Sequence, residues 1–234
     1  MTQFSHDRTV PVRLVAINAG VSDPSSTRML VDRMVQKTID QLADVTVSLT
    51  MIDLAPLAVD IAKALVAGFP GEKLQAVIDG LARADAIIAA TPVYKAGMSG
   101  LFKSFFDLLD NDLLIAKPIL LGATAGTSRH AMVADERMRP LFAFLRAIPV
   151  PTSVFVGPED WSSPELGHRI ARGATELGQF VLSDVGRAIT DSAWHSYQHQ
   201  FAGNATRAEQ SANEVDFDTD LMRLAAGGST DQKG

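Results

Sequence analysis

The sequence predicts an α/β protein built on a doubly wound, five-stranded parallel sheet with helices on both faces. The first observation is that short apolar runs alternate five times with longer amphipathic segments, which is the pattern of a parallel sheet covered by helices. The second is that turn-rich loops follow the first and third of these runs. In the common strand order 2-1-3-4-5 the first and third strands are neighbours, so the two loops meet where the strand order reverses. Open α/β sheets bind their ligands at this point.

Three of the five predicted strands lie in the first half of the chain. Each is an apolar run too short for a helix, and they span Val12 to Ile17, Val45 to Met51 and Ala86 to Ala90. Apolar residues at helical spacing predict helices at residues 26–42 and 72–83, with a shorter helical turn inside the connection 54–71. The third strand is expected to end at Thr91-Pro92-Val93-Tyr94, because proline has no N–H to donate within a sheet.

The second half begins with a helix from Ser99 whose apolar face is predicted to be core. That face consists of Leu101, Phe102, Phe105, Phe106 and Leu109. The two remaining strands are predicted at Lys117 to Thr124 and at Val150 to Val156. Helices are predicted at residues 130–147 and 164–189, the first of them kinked or broken at Pro140.

The pattern indicates a single domain followed by a tail. Residues 10–190 contain all the predicted strands and helices and are expected to form one domain. From Asp191 the composition becomes polar and small, so residues 191–234 are predicted to be a partly flexible C-terminal tail. An apolar cluster around Phe217 and Leu221 could dock as one amphipathic turn.

Composition excludes several classes of function. The net charge of −6 and the pI of about 5.3 argue against nucleic-acid binding. The absence of cysteine excludes disulfides, thiolate catalysis and cysteine-ligated metal centres. The five histidines show no HExxH spacing. His195 and His199 are four residues apart, but no carboxylate or third ligand is patterned around them, so they are interpreted as part of a polar tail. The sequence has neither the pattern of a secretion signal nor an apolar run of membrane length, so we expect a soluble, cytoplasmic protein.

The first loop has the residue types of a phosphate-binding site. Ser22, Ser25, Ser26 and Thr27 surround a predicted helix start, and Arg28 lies in its first turn. Free N–H groups, the positive end of the helix dipole and several hydroxyl donors favour an anion there. Ordinary helix capping by serine and threonine is the alternative, although it requires only one hydroxyl.

The second and third loops favour a flat ring beside that phosphate. GxGxxG and the phosphate-binding lysine motif are both absent, so a monophosphate such as that of FMN fits better than a dinucleotide. The second loop would offer backbone amides to the ring, and Tyr94 would lie beside it. Lys95 would place a positive charge near the ring in its reduced form. The third loop would contribute Thr124, Gly126 and Thr127 as donors. Tyr94 and Lys95 could instead be ordinary surface residues.

These three loops resemble those of the NADPH-dependent FMN reductase family of flavodoxin-like proteins. The resemblance rests on Gly20 to Arg28, on Thr91-Pro92-Val93-Tyr94 followed by Gly97 to Lys103, and on Ala123 to His130. It covers residues 10–160, and the C-terminal part resembles an actinobacterial-type branch. The first loop departs from the family pattern, because the arginine often found inside that loop is missing and Arg28 comes later.

The resemblance implies a role for each loop in cofactor binding. Ser22, Ser26, Thr27 and Arg28 would bind the FMN phosphate. Pro92, Val93, Tyr94 and Lys95 would lie along the isoalloxazine ring. Thr124, Gly126 and Thr127 would flank its other side. Members of the family usually form homodimers or homotetramers, so a homo-oligomer is expected.

The resemblance also implies hydride transfer from NADPH or NADH to the flavin, with no catalytic side chain required. Reduced FMN would then supply a partner monooxygenase or pass electrons to a bound acceptor. Two other functions remain open from the sequence: an FMN-containing quinone, azo-dye or metal reductase, and a non-enzymatic electron carrier. No residue pattern identifies a partner for the 2′-phosphate of NADPH, so the sequence does not decide between NADPH and NADH; Arg129 is a weak candidate for that partner.

Overall fold

A seven-stranded sheet forms the centre of the molecule in the computed structural model, which describes residues 10–194. The strands are β1 (Val12–Asn18), β2 (Val47–Asp53), β3 (Ala86–Tyr94), β4 (Gly97–Met98), β5 (Pro118–Thr124), β6 (Ile148–Pro149) and β7 (Val154–Val156). Their order is β2-β1-β3-β5-β6, with β7 also paired to β5. All of these pairs are parallel, and only β4 is antiparallel, to β3. The doubly wound class is therefore confirmed, whereas the predicted count of five strands was too low.

The fifth strand position, predicted at Val150 to Val156, is occupied by two short pieces beside β5, the first of which precedes the predicted range. Ile148 and Pro149 pair with its beginning, and β7 pairs with its end from Gly122 to Thr124. The division follows from Pro149 and Pro151, which cannot donate N–H groups to a continuous pairing. If β6 and β7 are counted as one position and β4 is left aside, the order is the predicted 2-1-3-4-5.

Strand β3 does not end before Pro92 but continues through it to Tyr94. The carbonyl of Ala90 accepts a bond from Ala19 N at 3.0 Å, so the polar groups of Ala90 face β1. Pro92, two residues on, faces the same way, where β1 has already ended at Asn18. The missing N–H of proline therefore costs no sheet bond, which is why the expectation of an early end was wrong.

Helices cover both faces of the sheet. They are α1 (Ser26–Gln41), α2 (Ala58–Ala67), α3 (Glu72–Ala82), α4 (Gly100–Asp107), α5 (Arg139–Phe144), α6 (Pro164–Leu182) and α7 (Val185–Ala193). The predicted helix at 130–147 is instead a series of short turns followed by α5. The predicted helix at 164–189 is two helices, because Asp184 between them adopts a left-handed φ of 52°.

Two hydrophobic cores lie on opposite faces of the sheet. One packs α2 to α5 against it and includes Phe102, Phe105, Phe106 and Phe142. Its rings are in direct contact, with 4.8 Å between the centroids of Phe106 and Phe142. The other core packs α1 and α6 against the opposite face. The prediction that the phenylalanines of α4 are structural is confirmed, since all three are buried.

None of the helices in residues 10–194 is long and apolar enough to cross a bilayer. Helix α7 passes the predicted domain boundary at residue 190 and ends at Ala193. The rest of the predicted tail, with the apolar cluster around Phe217 and Leu221, lies outside the described residues.

Candidate functional site

A cavity of about 470 Å³ lies at the carboxyl ends of β1, β3, β5 and β7. Its walls come from four loops that are distant in sequence and adjacent in the sheet. The lining residues are Gly20, Val21, Ser22, Ser25, Ser26, Thr27, Pro92, Val93, Tyr94, Thr124, Ala125, Gly126, Val156, Pro158 and Trp161. Eight of the eleven residues predicted from sequence are among them.

The first loop brings the amino terminus of α1 to this cavity. Ser25 caps the helix, since its Oγ accepts a bond from Arg28 N at 3.2 Å. The backbone N–H groups of Ser26 and Thr27 come before the first bond of the helix and have no acceptor within it. Gly20 allows the loop to close tightly, because a Cβ at this position would lie 2.0 Å from Ser25 Oγ. The loop therefore presents amides and hydroxyls at the positive end of a helix.

A buried hydroxyl pair connects the first loop to the third. Thr27 Oγ1 and Thr124 Oγ1 are 2.7 Å apart, and both residues are almost fully buried. The bond joins α1 to the end of β5, across 97 residues of sequence. Each hydroxyl satisfies the other, so the pair maintains the distance between two walls of the cavity.

Arg28, predicted to be a phosphate ligand, does not line the cavity. Its Nε donates to Asp32 at 2.8 Å, and its Nη1 donates to Asp53 Oδ2 at 2.9 Å. The bond to Asp32 and the attraction of Asp53 raise the pKa of Arg28 above its usual value. In this structure the arginine is engaged by two carboxylates beside the loop.

The second loop is a tight hairpin between β3 and β4. Lys95 and Ala96 form its turn with φ values of 50° and 63°, the backbone of a type I′ hairpin. Pro92, Val93 and Tyr94 line the cavity, and Tyr94 remains 52% exposed, whereas Lys95 lies outside the lining. Thr91 fixes the base of the hairpin, since its Oγ1 accepts a bond from Ser99 N at 3.0 Å.

The third loop contributes only its first half to the cavity. Thr124, Ala125 and Gly126 are lining residues. Thr127 instead caps the short helical turn Ser128–His130, where its Oγ1 accepts a bond from Arg129 N at 3.4 Å.

A fourth wall, at the end of β7, was not predicted from the sequence. It consists of Val156, Pro158 and Trp161, the last two in the 3-10 turn Pro158–Ser162. The strand order could have predicted it. The fifth strand position is next to β5, so the carboxyl end of the strand there must border the same cleft. Trp161 also lies beside α1, with the guanidinium carbon of Arg33 5.2 Å from its ring centroid.

The residues of the cavity fit FMN in both size and chemistry. Its volume falls within the usual range for small-molecule sites, roughly 300–1,000 Å³. Serine hydroxyls and free helix amides suit a phosphate, while Val93, Val156 and Trp161 offer apolar surface for a ring. Residues 10–194 contain no cluster of three or more histidine, aspartate or glutamate side chains that could hold a metal ion.

A doubly wound parallel sheet with its cleft between the first and third strands defines a flavodoxin-like protein. A flavodoxin from the domain Archaea supports this class at the level of fold alone, with a TM-score of 0.51 and 12% identity over 73% of this chain and 99% of that chain. The model of the NADPH-dependent FMN reductase family matches residues 12–162. The chain belongs to that family, which confirms the resemblance found in the sequence.

Three similar proteins illustrate the relationship. An FMN reductase (NADPH) of Pseudomonas aeruginosa is 36% identical over 66% of this chain and 82% of its own length. The NADH-dependent FMN reductase SfnE of Pseudomonas putida is 33% identical over 71% of this chain and 90% of its own. The crystal structure of an oxidoreductase from Corynebacterium diphtheriae is 38% identical, with a TM-score of 0.72, over 74% of this chain and 98% of that chain. This last similarity agrees with the actinobacterial-type branch.

Proposed function

We propose that this chain catalyses the reduction of FMN by NADPH or NADH, and that the reaction takes place in the cavity at the carboxyl edge of the sheet. Membership of the FMN reductase family supports the reaction class. The start of α1 supports this location for the reaction. There, two free backbone amides and the Ser22, Ser25 and Ser26 hydroxyls border the cavity of about 470 Å³. No other element lining this cavity combines a helix amino terminus with so many hydroxyl donors.

The three loops have different tasks in this proposal. Ser22, Ser26 and the amides of Ser26 and Thr27 bind the phosphate. Pro92, Val93 and Tyr94 border one side of the ring, and Thr124 and Gly126 border the other. Arg28 and Thr127 act indirectly, since Arg28 is held by carboxylates beside the first loop and Thr127 caps the turn after the third. Lys95 sets the hairpin turn and adds a positive charge next to the cavity.

When bound, FMN would supply the redox chemistry, accepting a hydride from the nicotinamide. The protein binds the phosphate, orients the ring and excludes water from one side of it. The apolar walls at Val93, Val156 and Trp161 lower the local polarity, while backbone amides of the loops stabilise negative charge on the ring. A proton-transferring side chain is not required for this reaction.

The relatives named above include both an NADPH and an NADH enzyme, so we propose that either nucleotide is a candidate donor. We also propose that reduced FMN leaves to supply a monooxygenase, that residues 10–190 are the catalytic domain, and that the protein is a cytoplasmic homodimer or homotetramer.

Steady-state kinetics with two acceptors tests the function. Purified protein is given NADPH or NADH and either free FMN or a quinone, in excess. The proposal expects oxidation of the nucleotide with free FMN as the acceptor. Turnover of the quinone by an FMN-loaded protein, without turnover of free FMN, would point to a quinone reductase instead.

A further inference from the structure

Trp161 lines the same cavity as the start of α1, and the function proposed above gives it only the general task of an apolar wall. It lies in the turn Pro158–Ser162, which follows β7. Its ring is partly buried against the core between α1 and the sheet. Because its ring also contacts Arg33 of α1, Trp161 borders the cavity beside that helix, at whose start the phosphate is expected.

The ring of Trp161 contacts α1 through Arg33, and the turn that carries it is braced by its own residues. The Arg33 guanidinium carbon lies 5.2 Å from the ring centroid, a distance at which the cation is attracted to the ring face. The turn itself is braced by Asp160, whose carboxylate accepts a bond from Gly157 N at 2.7 Å. Pro158 restricts the backbone further. A large, rigid side chain is therefore positioned on one wall of the cavity.

The position of this wall bears on which flavin the cavity accepts. FMN ends at its phosphate, whereas FAD continues from the same phosphate into a second phosphate and adenosine. A phosphate bound at the start of α1 would direct that extension past the neighbouring wall. Trp161 is the bulkiest side chain of the wall that follows β7, so an extension that passes this wall would meet its indole.

We propose that Trp161, held against α1 by Arg33, is a specificity-determining residue that admits FMN and obstructs the adenosine half of FAD. The inference rests on the proposed function, because it assumes that the flavin phosphate binds at the start of α1. The expected effect is on the affinities for FMN and FAD, so binding measurements test it whether or not the protein reduces flavin.

The test compares the dissociation constants of FMN and FAD by isothermal titration calorimetry. Trp161→Ala is expected to lower the ratio of the FAD constant to the FMN constant by about tenfold, the size of effect that steric selection in a pocket produces. Trp161→Phe retains a ring and should leave the ratio close to that of the wild type.

Arg33→Ala supplies a second variant that does not depend on the stability of Trp161→Ala. Loss of the Arg33 contact should also lower the ratio of the FAD constant to the FMN constant, by a smaller factor than Trp161→Ala does. Lys37→Ala is the matched control, since Lys37 is on the same helix and pairs with Asp40 away from the ring. Its ratio should equal that of the wild type, which separates the ring contact from the loss of positive charge on α1.

Two results would overturn the inference and leave the proposed function intact. In the first, Trp161→Ala and Arg33→Ala change the affinities for FMN and FAD by equal factors. In the second, Trp161→Ala weakens FAD more than FMN, which would mean that the indole supports the adenosine. If the wild type binds neither flavin, the proposed function itself fails, and the inference fails with it.

Discussion

Asp53 organises the first loop at the scale of single residues. Its Oδ1 accepts a bond from Asn18 Nδ2 at 2.9 Å, and both of its oxygens accept from Arg28. The Asn18 Oδ1 in turn accepts a bond from Gly20 N at 2.9 Å. A carboxylate at the end of β2 thus orients the amide that shapes the loop, and it also holds the arginine in the first turn of α1.

Asp53→Ala should weaken FMN binding by about threefold to tenfold, because Asn18 and Arg28 lose a shared partner and the loop becomes less ordered before binding. Titration of the purified variant with FMN, followed by flavin fluorescence, measures the effect. Asp40→Ala is the control, since it removes a carboxylate that is paired on α1 away from the loop. Equal affinities in Asp53→Ala and the wild type would show that the loop does not depend on this network.

The hydroxyl pair of Thr27 and Thr124 gives a second prediction at this scale. Thr27→Val should lower the free energy of unfolding by about 1–3 kcal/mol, because the buried Thr124 hydroxyl loses its partner. Adding Thr124→Val removes the unpaired group, so the double variant should be more stable than either single variant. Urea unfolding of the four proteins forms a double-mutant cycle. Additive losses would contradict a direct bond between the two hydroxyls.

Part of the site could be predicted residue by residue and part could not. The lining residues of the first two loops lie at or just after the carboxyl ends of neighbouring strands, so the sheet order alone brings them together. The role of Arg28 depended on Asp53, a carboxylate 25 residues away whose position only the folded sheet reveals. Trp161 was missed because its loop follows the divided fifth strand, where the sequence pattern was weakest.

At the scale of elements, the fold differs from the sequence predictions where a single backbone feature interrupts a strand or a helix. Pro149 and Pro151 separate β6 from β7 at the fifth strand position, and the left-handed φ of Asp184 divides the last long helix. Periodicity could not show either break, because the apolar spacing continues across both. The regular strands and helices, by contrast, were predictable from apolar spacing alone.

Helix α7 is sensitive to substitution because it packs closely against the backbone that precedes β5. A Cβ added at Gly186 would lie 2.5 Å from the carbonyl oxygen of Ala116. Since backbone cannot yield as a side chain can, Gly186→Ala should displace α7 and lower the melting temperature by several degrees. Gly167→Ala on α6 is the control, since a Cβ there meets nothing within 4 Å, and it should be neutral or slightly stabilising. Thermal unfolding followed by circular dichroism distinguishes the two, and equal melting temperatures would contradict the close contact.

At the scale of the whole molecule, the stability is expected to depend on pH through Lys117, at the edge of the sheet opposite the cavity. Its Nζ donates to the carbonyl of Ala84 at 2.9 Å. Burial lowers the pKa of Lys117 from 10.5 to about 8, against the opposing attraction of Asp85. Between these two values the unfolded chain binds more protons than the folded one, so stability rises with pH across this window.

Lys117→Met should remove this rise. The free energy of unfolding of the wild type, measured in urea from pH 7.5 to 10.5, should increase relative to that of Lys117→Met by up to about 3 kcal/mol. Lys63→Met, at an exposed position on α2, should follow the wild type across the range. Parallel curves for the wild type and Lys117→Met would contradict the lowered pKa.

Anaerobic stopped-flow reduction tests the central claim of flavin reduction most directly. The protein is mixed with FMN and either NADPH or NADH, with and without excess free FMN, and the flavin absorbance near 450 nm is followed. We expect rapid bleaching with at least one nucleotide, and bleaching of the entire FMN pool when free FMN is in excess. Absence of bleaching with both nucleotides, in a protein that binds FMN, would contradict the assignment and leave a non-enzymatic flavin carrier.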